Sequence, residues 1–202
     1  MSPTEAPVDV DVLRDEIKKT YTDVSTDADQ DFIFPTGRAW AEELGYPQPE
    51  LSQVPEPSVE SFAGVANHWA LGRIDPGSVV LDLGCGAGTD LLIAAQMTGR
   101  AGRVIGVDMT PSMLERTRAS AQEMGLGNVE LHESLIESLP LEDGSVDVVI
   151  SNGVIDLVPD KDAVFDEIDR VLRPGGRLQV ADVIIHTEVS EDARARIDLW
   201  TG

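Results

Sequence analysis

Apolar positions recur at helical spacing near the start of the chain: Val10, Leu13 and Ile17, with Tyr21 one turn further, in VDVLRDEIKKTYTDV. That spacing predicts a helix. A charged break, STDADQD (Ser25–Asp31), follows it. Thr36–Tyr46 (TGRAWAEELGY) reads as a short helix stopped by Gly45. Pro47, Pro49, Pro55 and Pro57 then mark an irregular connection. Ser58–Ile74 reads as irregular chain passing into a weak helix, closed by Asp75-Pro76-Gly77. Residues 1–74 therefore read as a helical N-terminal cap or lid rather than a second full domain, with residues 1–9, polar and proline-containing, expected to fray.

From Val79 the pattern changes to alternating strand and helix signals. Val79–Leu83, Arg103–Asp108, Asn128–Glu133, Ser145–Asn152 and Gly176–Ile185 read as strands. Thr89–Met97, Thr110–Leu126 and Asp160–Leu172 read as helices between them, and Ser190–Trp200 begins another. Thr110 is placed as an N-cap with Pro111 in the favoured first helical position. Repeated strand–helix–strand crossovers require a parallel sheet covered by helices on both faces. The expected fold is thus α/β, a Rossmann-like doubly wound parallel sheet over residues 75–202. In such sheets ligands sit at the carboxyl ends of the strands.

The charge balance narrows the partners. The 202 residues carry 37 acids against 15 Lys and Arg, a formal net charge of −22. A phosphate backbone or an anionic membrane is repelled by that field, so neither nucleic acid nor membrane is an expected partner. The single cysteine, Cys85, leaves no internal disulfide and no cysteine-cluster metal site. No metal is expected. The opening MSPTEAPVDVDVLRDEI lacks a secretory pattern, and no apolar run approaches the roughly 18 residues needed to cross a bilayer. A cytoplasmic location is the expectation.

The chemistry is concentrated in VVLDLGCGAGTDLLIAA (Val79–Ala95). Its glycines fall at 84, 86 and 88 behind Asp82, a D-x-G-x-G-x-G pattern. The dinucleotide pattern G-x-G-x-x-G fails at Thr89, and the triphosphate pattern fails because no lysine follows the loop. Asp108 closes the second strand, where an acid can accept hydrogen bonds from both hydroxyls of a ribose. A pyrophosphate wants a helix N-terminus and no nearby acid. A sulfonium with an ammonium group wants the reverse, and Asp82 stands where it can attract the ammonium.

At these residues the chain resembles a known family. VVLDLGCGAGTD, GRVIGVDMT, ISNGVIDLVPDK and VLRPGGRLQVADV are similar to the successive motifs of class I S-adenosylmethionine-dependent methyltransferases, most of all the arsenite methyltransferase-like branch. The resemblance covers roughly Ser58 to Gly202. It implies S-adenosylmethionine as cofactor, a small-molecule methyl acceptor and an enzyme acting by in-line displacement. Asp82 is placed to steer the ammonium, directly or through water, and Gly88 is a further cofactor-binding glycine of the loop; carried over residue by residue, Gly84, Cys85 and Gly86 line the methionine part. Asp108 holds the ribose and Met109 packs on the adenine. The backbone around Leu135 and Ile136 meets the adenine edge, and Ser151 and Asn152 close the floor beside the acceptor. Many relatives carry an acid at the Leu135 position, a contact leucine cannot make.

The resemblance also has gaps. Arsenite methyltransferases use cysteines to hold trivalent arsenic, and soft thiolates suit that acceptor. Two of those positions are Val65 and Gly153 in this sequence. With Cys85 alone, these 202 residues cannot form a multi-thiolate site. The resemblance further implies a strand hairpin beside the fifth strand, which this sequence does not reach. The fifth strand is then expected as an apolar edge that a second copy or the N-terminal segment covers. No catalytic residue is assigned. An oxygen or acidic-carbon acceptor needs a base, and the candidates near the mouth are His68, Asp156 and Tyr21. Tyr21 and Trp69 are candidate lid aromatics, whereas His132 and His186 look structural. Cys85 has no evident base and is not read as a nucleophile. The rival readings are a non-catalytic S-adenosylmethionine-binding protein and a nicotinamide oxidoreductase; Thr89 and Asp82 argue against the second.

Overall fold

The strands run β1 (Val79–Leu83), β2 (Arg103–Asp108), β3 (Val129–Glu133), β4 (Val146–Asn152) and β5 (Leu172–Ala181). The computed structural model describes residues 9–26 and 34–186. All neighbours pair in parallel, in the order β3-β2-β1-β4-β5, so the expected Rossmann-like sheet is formed. Helices α1 (Val10–Thr26), α2 (Gly37–Glu43), α3 (Gln48–Leu51) and α4 (Glu56–Val59) precede it. A 3-10 turn, His68–Leu71, leads into β1. The crossovers are α5 (Thr89–Thr98), α6 (Pro111–Glu123) and α7 (Lys161–Val171).

Strand alternation sorts the apolar side chains into two layers. Val80, Val104, Val148 and Ile150 face α5 and, beyond it, the N-terminal cap residues Tyr46, Leu51, Val59 and Trp69. Leu81, Leu83, Ile105, Val107 and Val149 face Val164, Ile168 and Val171 of α7. Helix α5 is buried along almost its whole length, because cap and sheet close on it from both sides. A helix that is apolar all round is stable only in such a position.

The cap is stapled to itself and to the core. Arg38 donates to Glu56 (2.8 Å) and to the carbonyls of Leu51 (3.3 Å) and Val54 (3.1 Å), locking α2 onto α3 and α4. Arg116 of α6 pairs with Glu60 (2.5 Å), and Arg73 pairs with Glu50. Helix α1 packs on α6, and Arg14 reaches Glu137 at 3.0 Å.

Some boundaries differ from the sequence reading. Thr110 occupies the N-cap position of α6 but makes no side-chain cap bond; its backbone N–H is instead taken by Asp108. Strand β5 starts at Leu172, running through Arg173-Pro174-Gly175-Gly176 with a register irregularity opposite Val146 and Val148. It stops at Ala181, opposite Asn152, where β4, its one neighbour among the described residues, ends. Val183, Ile184 and Ile185 beyond it are 53%, 74% and 69% exposed. The expected helix Ser190–Trp200, residues 1–8 and most of the charged break lie outside the described residues. Among the described residues no helix is long and apolar enough to cross a membrane.

Candidate functional site

A cleft of about 1020 Å³, its open mouth included, lies at the carboxyl ends of β1, β2 and β4. Gly84, Cys85, Gly86 and Gly88 line it from the first loop. Asp108 and Met109 line it from the end of β2, Leu135 and Ile136 from beyond β3, and Asn152 from β4. Arg14, Ile17 and Tyr21 of α1 form the opposite wall.

Glycines 84, 86 and 88 have φ of +64°, +51° and +93°, a region that ordinary side chains avoid. Their surroundings separate their roles. A Cβ on Gly84 would stand 2.6 Å from Val154, and one on Gly88 would stand 2.6 Å from Thr117. A Cβ on Gly86 would meet no atom within 4 Å. Two of the three glycines are thus needed by protein packing, and the middle one opens onto the cleft. The loop is fixed from behind: Cys85 N–H donates to Val107 O (3.0 Å), and the Thr117 hydroxyl donates to Gly86 O (2.7 Å).

Three carboxylates surround this loop. Asp108 accepts the N–H groups of Gly86 and Thr110, one on each oxygen, at 2.8 Å. Burial raises its pKa, and these hydrogen bonds oppose the rise. Asp82 is 3% exposed, and its Oδ2 has no partner. Burial, then the charges of Asp90 and Asp108, push its pKa well above the usual aspartate range. Asp90, in the first turn of α5, lines the cleft at 8% exposure. Among the described residues no Lys or Arg pairs with any of the three. Buried anions without a cation are costly, so a ligand carrying positive charge suits this pocket and a pyrophosphate does not.

Asp82 and Ser151 lie behind the cleft lining. Alternation along β4 turns Ser151 away from Asn152 toward the α7 side, where its buried hydroxyl has no partner. Asn152 does line the cleft, but its amide is committed to the cap: Oδ1 accepts Val65 N–H (2.8 Å), and Nδ2 donates to Ala66 O (3.0 Å) and to the Tyr46 hydroxyl (2.6 Å). His68 is 1% exposed with its Nε2 3.1 Å from Asp90 Oδ1, and Trp69 is buried, its indole N–H donating to the same oxygen (2.8 Å). Neither lines the cleft. Tyr21 does, stacked on Phe34 at 6.3 Å. Its pKa is raised by burial and then by Asp156, Asp108 and Asp182. Asp156 hydrogen-bonds Asp182, and burial followed by that partner raises it to about 7. His132 is taken up by Glu130 at 2.7 Å. Cys85 is buried, and burial pushes its thiol well above its usual range. Val65 and Gly153 are neighbours: a Cβ on Gly153 would lie 3.0 Å from Val65 Cγ1. The polar set Tyr46, Trp69, Asp90 and Asn152 went unrecognised in the sequence as a unit.

Residues 74–200 match the family model for a methyltransferase domain. The chain is 42% identical over 167 residues to an arsenite methyltransferase of Halobacterium salinarum, covering 83% of this chain and 42% of that protein. It is 42% identical over 158 residues to an arsenite methyltransferase of Aquipseudomonas alcaligenes, covering 73% of this chain and 44% of the relative. The chain thus spans less than half the length of these relatives. Among solved structures it resembles an arsenic(III) S-adenosylmethionine methyltransferase from Chlamydomonas reinhardtii, with 38% identity, a TM-score of 0.65, and coverage of 72% of this chain and 51% of that one.

Proposed function

The chain belongs to the class I S-adenosylmethionine-dependent methyltransferases, and from that premise we propose that it transfers the methyl group of this cofactor to a small-molecule acceptor. The observation that carries the proposal is the glycine loop ringed by Asp82, Asp90 and Asp108, with no Lys or Arg among the described residues paired to them. S-adenosylmethionine fits those residues: it is cationic and carries no phosphate. Gly86 leaves open space at its Cβ position, and Asp82 keeps a carboxylate oxygen without a partner.

In this reading Asp108 takes the ribose hydroxyls on lone pairs its two backbone bonds leave free. Met109, Leu135 and Ile136 enclose the adenine, and the loop backbone from Gly84 to Gly88 holds the methionine part. Bound, the cofactor supplies an electrophilic methyl carbon on a sulfonium. The protein's part is to align the acceptor in line with that carbon and keep water out, which α1 does by walling the cleft with Ile17 and Tyr21. Asp156, beside the cleft-lining Leu157 and with a pKa of about 7, is the proposed proton acceptor for an acceptor hydroxyl.

The acceptor proposed is not a thiophilic metalloid held by this segment alone. Val65 and Gly153 give an apolar surface, and the one thiol is buried in the cofactor loop. The test is calorimetric titration with S-adenosylhomocysteine and, separately, NADH, followed by a screen of hydroxyl, carbon and arsenite acceptors with labelled cofactor. Micromolar binding of the first ligand alone is expected; binding of NADH instead would overturn the reading.

A further inference from the structure

Asp90 is a meeting point of two bodies of the fold. It stands on α5, immediately after the glycine loop, and is one of the residues that line the cleft. The groups that converge on it come largely from the cap. The Tyr46 hydroxyl donates to Oδ2 at 3.1 Å, and the Trp69 indole N–H donates to Oδ1 at 2.8 Å. His68 Nε2 lies 3.1 Å from Oδ1. Asn152 joins from the sheet, 3.4 Å from Oδ2, while its other contacts hold the Val65–Ala66 strap. The cap residues 37–71 therefore rest on the core partly through the buried carboxylate of a residue that also lines the cleft.

The charge of that carboxylate is met by no Lys or Arg among the described residues, and neighbouring Asp82 adds a second buried acid with an orphan oxygen. The Tyr46 hydroxyl and the Trp69 indole are neutral donors and offset a buried anion only in part. In the empty protein the remaining cost favours movements that let water reach Asp90, which means lifting Tyr46 and Trp69 with the cap. A cation seated in the cleft removes that cost while the cap stays down. Ligand and cap thus share a coupling free energy, reciprocal by linkage.

We infer that Asp90 is a positioning residue that couples the cationic methionine end of the cofactor to closure of the cap, so that the cofactor must bind before the acceptor wall around Val65 is formed. This rests on the S-adenosylmethionine reading of the cleft. It adds an order of binding and assigns it to a residue that need not touch the transferred methyl.

The experiment is hydrogen exchange of the full chain, alone and saturated with either S-adenosylhomocysteine or 5′-methylthioadenosine. Both share the adenosine and thioether, but only the first has the amino-acid end, with its ammonium and carboxylate. S-adenosylhomocysteine is expected to slow exchange in peptides from residues 37–71 about tenfold, an ordinary coupling. Methylthioadenosine is expected to protect the loop after β1 but leave the cap near its free rate. Asp90→Asn, compared with each nucleoside raised to saturation, should lose the difference between them. Tyr46→Phe, which keeps the ring and removes one donor, should lose part of it and stands in should Asp90→Asn fail to fold. Equal cap protection by the two ligands, or none from either while both bind, overturns the coupling and leaves the cofactor reading intact. Failure of both ligands to bind overturns the cofactor reading, and the coupling with it.

Discussion

Placing a methyl group on Gly86 tests the division of labour among the loop glycines. In Gly86→Ala the new Cβ enters open space, so its cost to the fold is the left-handed backbone alone, roughly 1–2 kcal/mol at φ +51°. For a chain of this size that is a fall in thermal midpoint of about 2–8 °C. Gly88→Ala carries the same backbone cost at φ +93°, and its Cβ also meets Thr117 at 2.6 Å. Overpacking there raises the total to about 2–5 kcal/mol. Binding should order the two the other way among folded molecules. The Gly86→Ala methyl enters the open space proposed for the cofactor and should weaken S-adenosylhomocysteine by about tenfold or more, which is ~1.4 kcal/mol. Thermal denaturation and calorimetric titration of both variants give the comparison. Wild-type affinity in Gly86→Ala, or a stability loss as large as that of Gly88→Ala, would refute the assignment of Gly86 to the ligand face.

Asp108→Asn keeps the shape but turns an amide N–H₂ toward Gly86 N–H or Thr110 N–H; it should cost about 1–3 kcal/mol of stability and nearly abolish nucleoside binding, read by the same two assays. Asp156 is raised from 3.8 to about 7 in the folded chain, so its stabilising contribution is fully present below pH 3.8 and is lost as pH rises through about 7. Asp156→Asn should therefore flatten the fall in denaturation midpoint between about pH 4 and 7; after discounting for solvent screening the effect is about 1–2 kcal/mol, and parallel profiles would rule it out. The net charge of −22 predicts a midpoint that climbs with KCl, as screening shortens the Debye length from about 30 Å at 0.01 M to about 3 Å at 1 M; a flat salt series would mean self-repulsion is not limiting. Cys85→Ala should retain cofactor binding, because the thiol is buried and serves packing, and loss of binding measured by titration would contradict that.

The sheet was legible because each of its parts is local. Val79–Leu83 and Arg103–Asp108 are bounded by glycines and by the acid that ends the second strand, and the structure keeps both ranges. The glycine pattern was legible as a loop, but the separate duties of Gly84, Gly86 and Gly88 were not, since they depend on Val154 and Thr117, far along the chain. Strand alternation could have separated Ser151 from Asn152: adjacent residues on β4 face opposite ways. The polar set around Asp90 had no sequence signal. Its members come from the cap, α5 and β4, and the Asn152–Tyr46 bond spans 106 positions. An aspartate in the first turn of a helix reads as a helix-dipole residue, which conceals a hub of this kind. His68 drew attention as a lone histidine near a predicted mouth, whereas burial against Asp90, Tyr46 and Trp69 takes it out of the cleft.

The self-stapling of the cap by Arg38 also bears on how such a domain can be re-engineered. One guanidinium ties α2 to Glu56 and to the carbonyls of Leu51 and Val54, so this stretch holds its shape through its own bonds. It meets the sheet where Asn152 holds Val65 and Ala66, and α5 where Trp69 donates to Asp90. A stretch built that way is an exchangeable cassette. Swapping residues 37–71 whole between relatives, with Arg38 and the partners of Asp90 kept, should carry acceptor preference across while leaving the nucleoside half untouched. Piecemeal substitution would break the staple first.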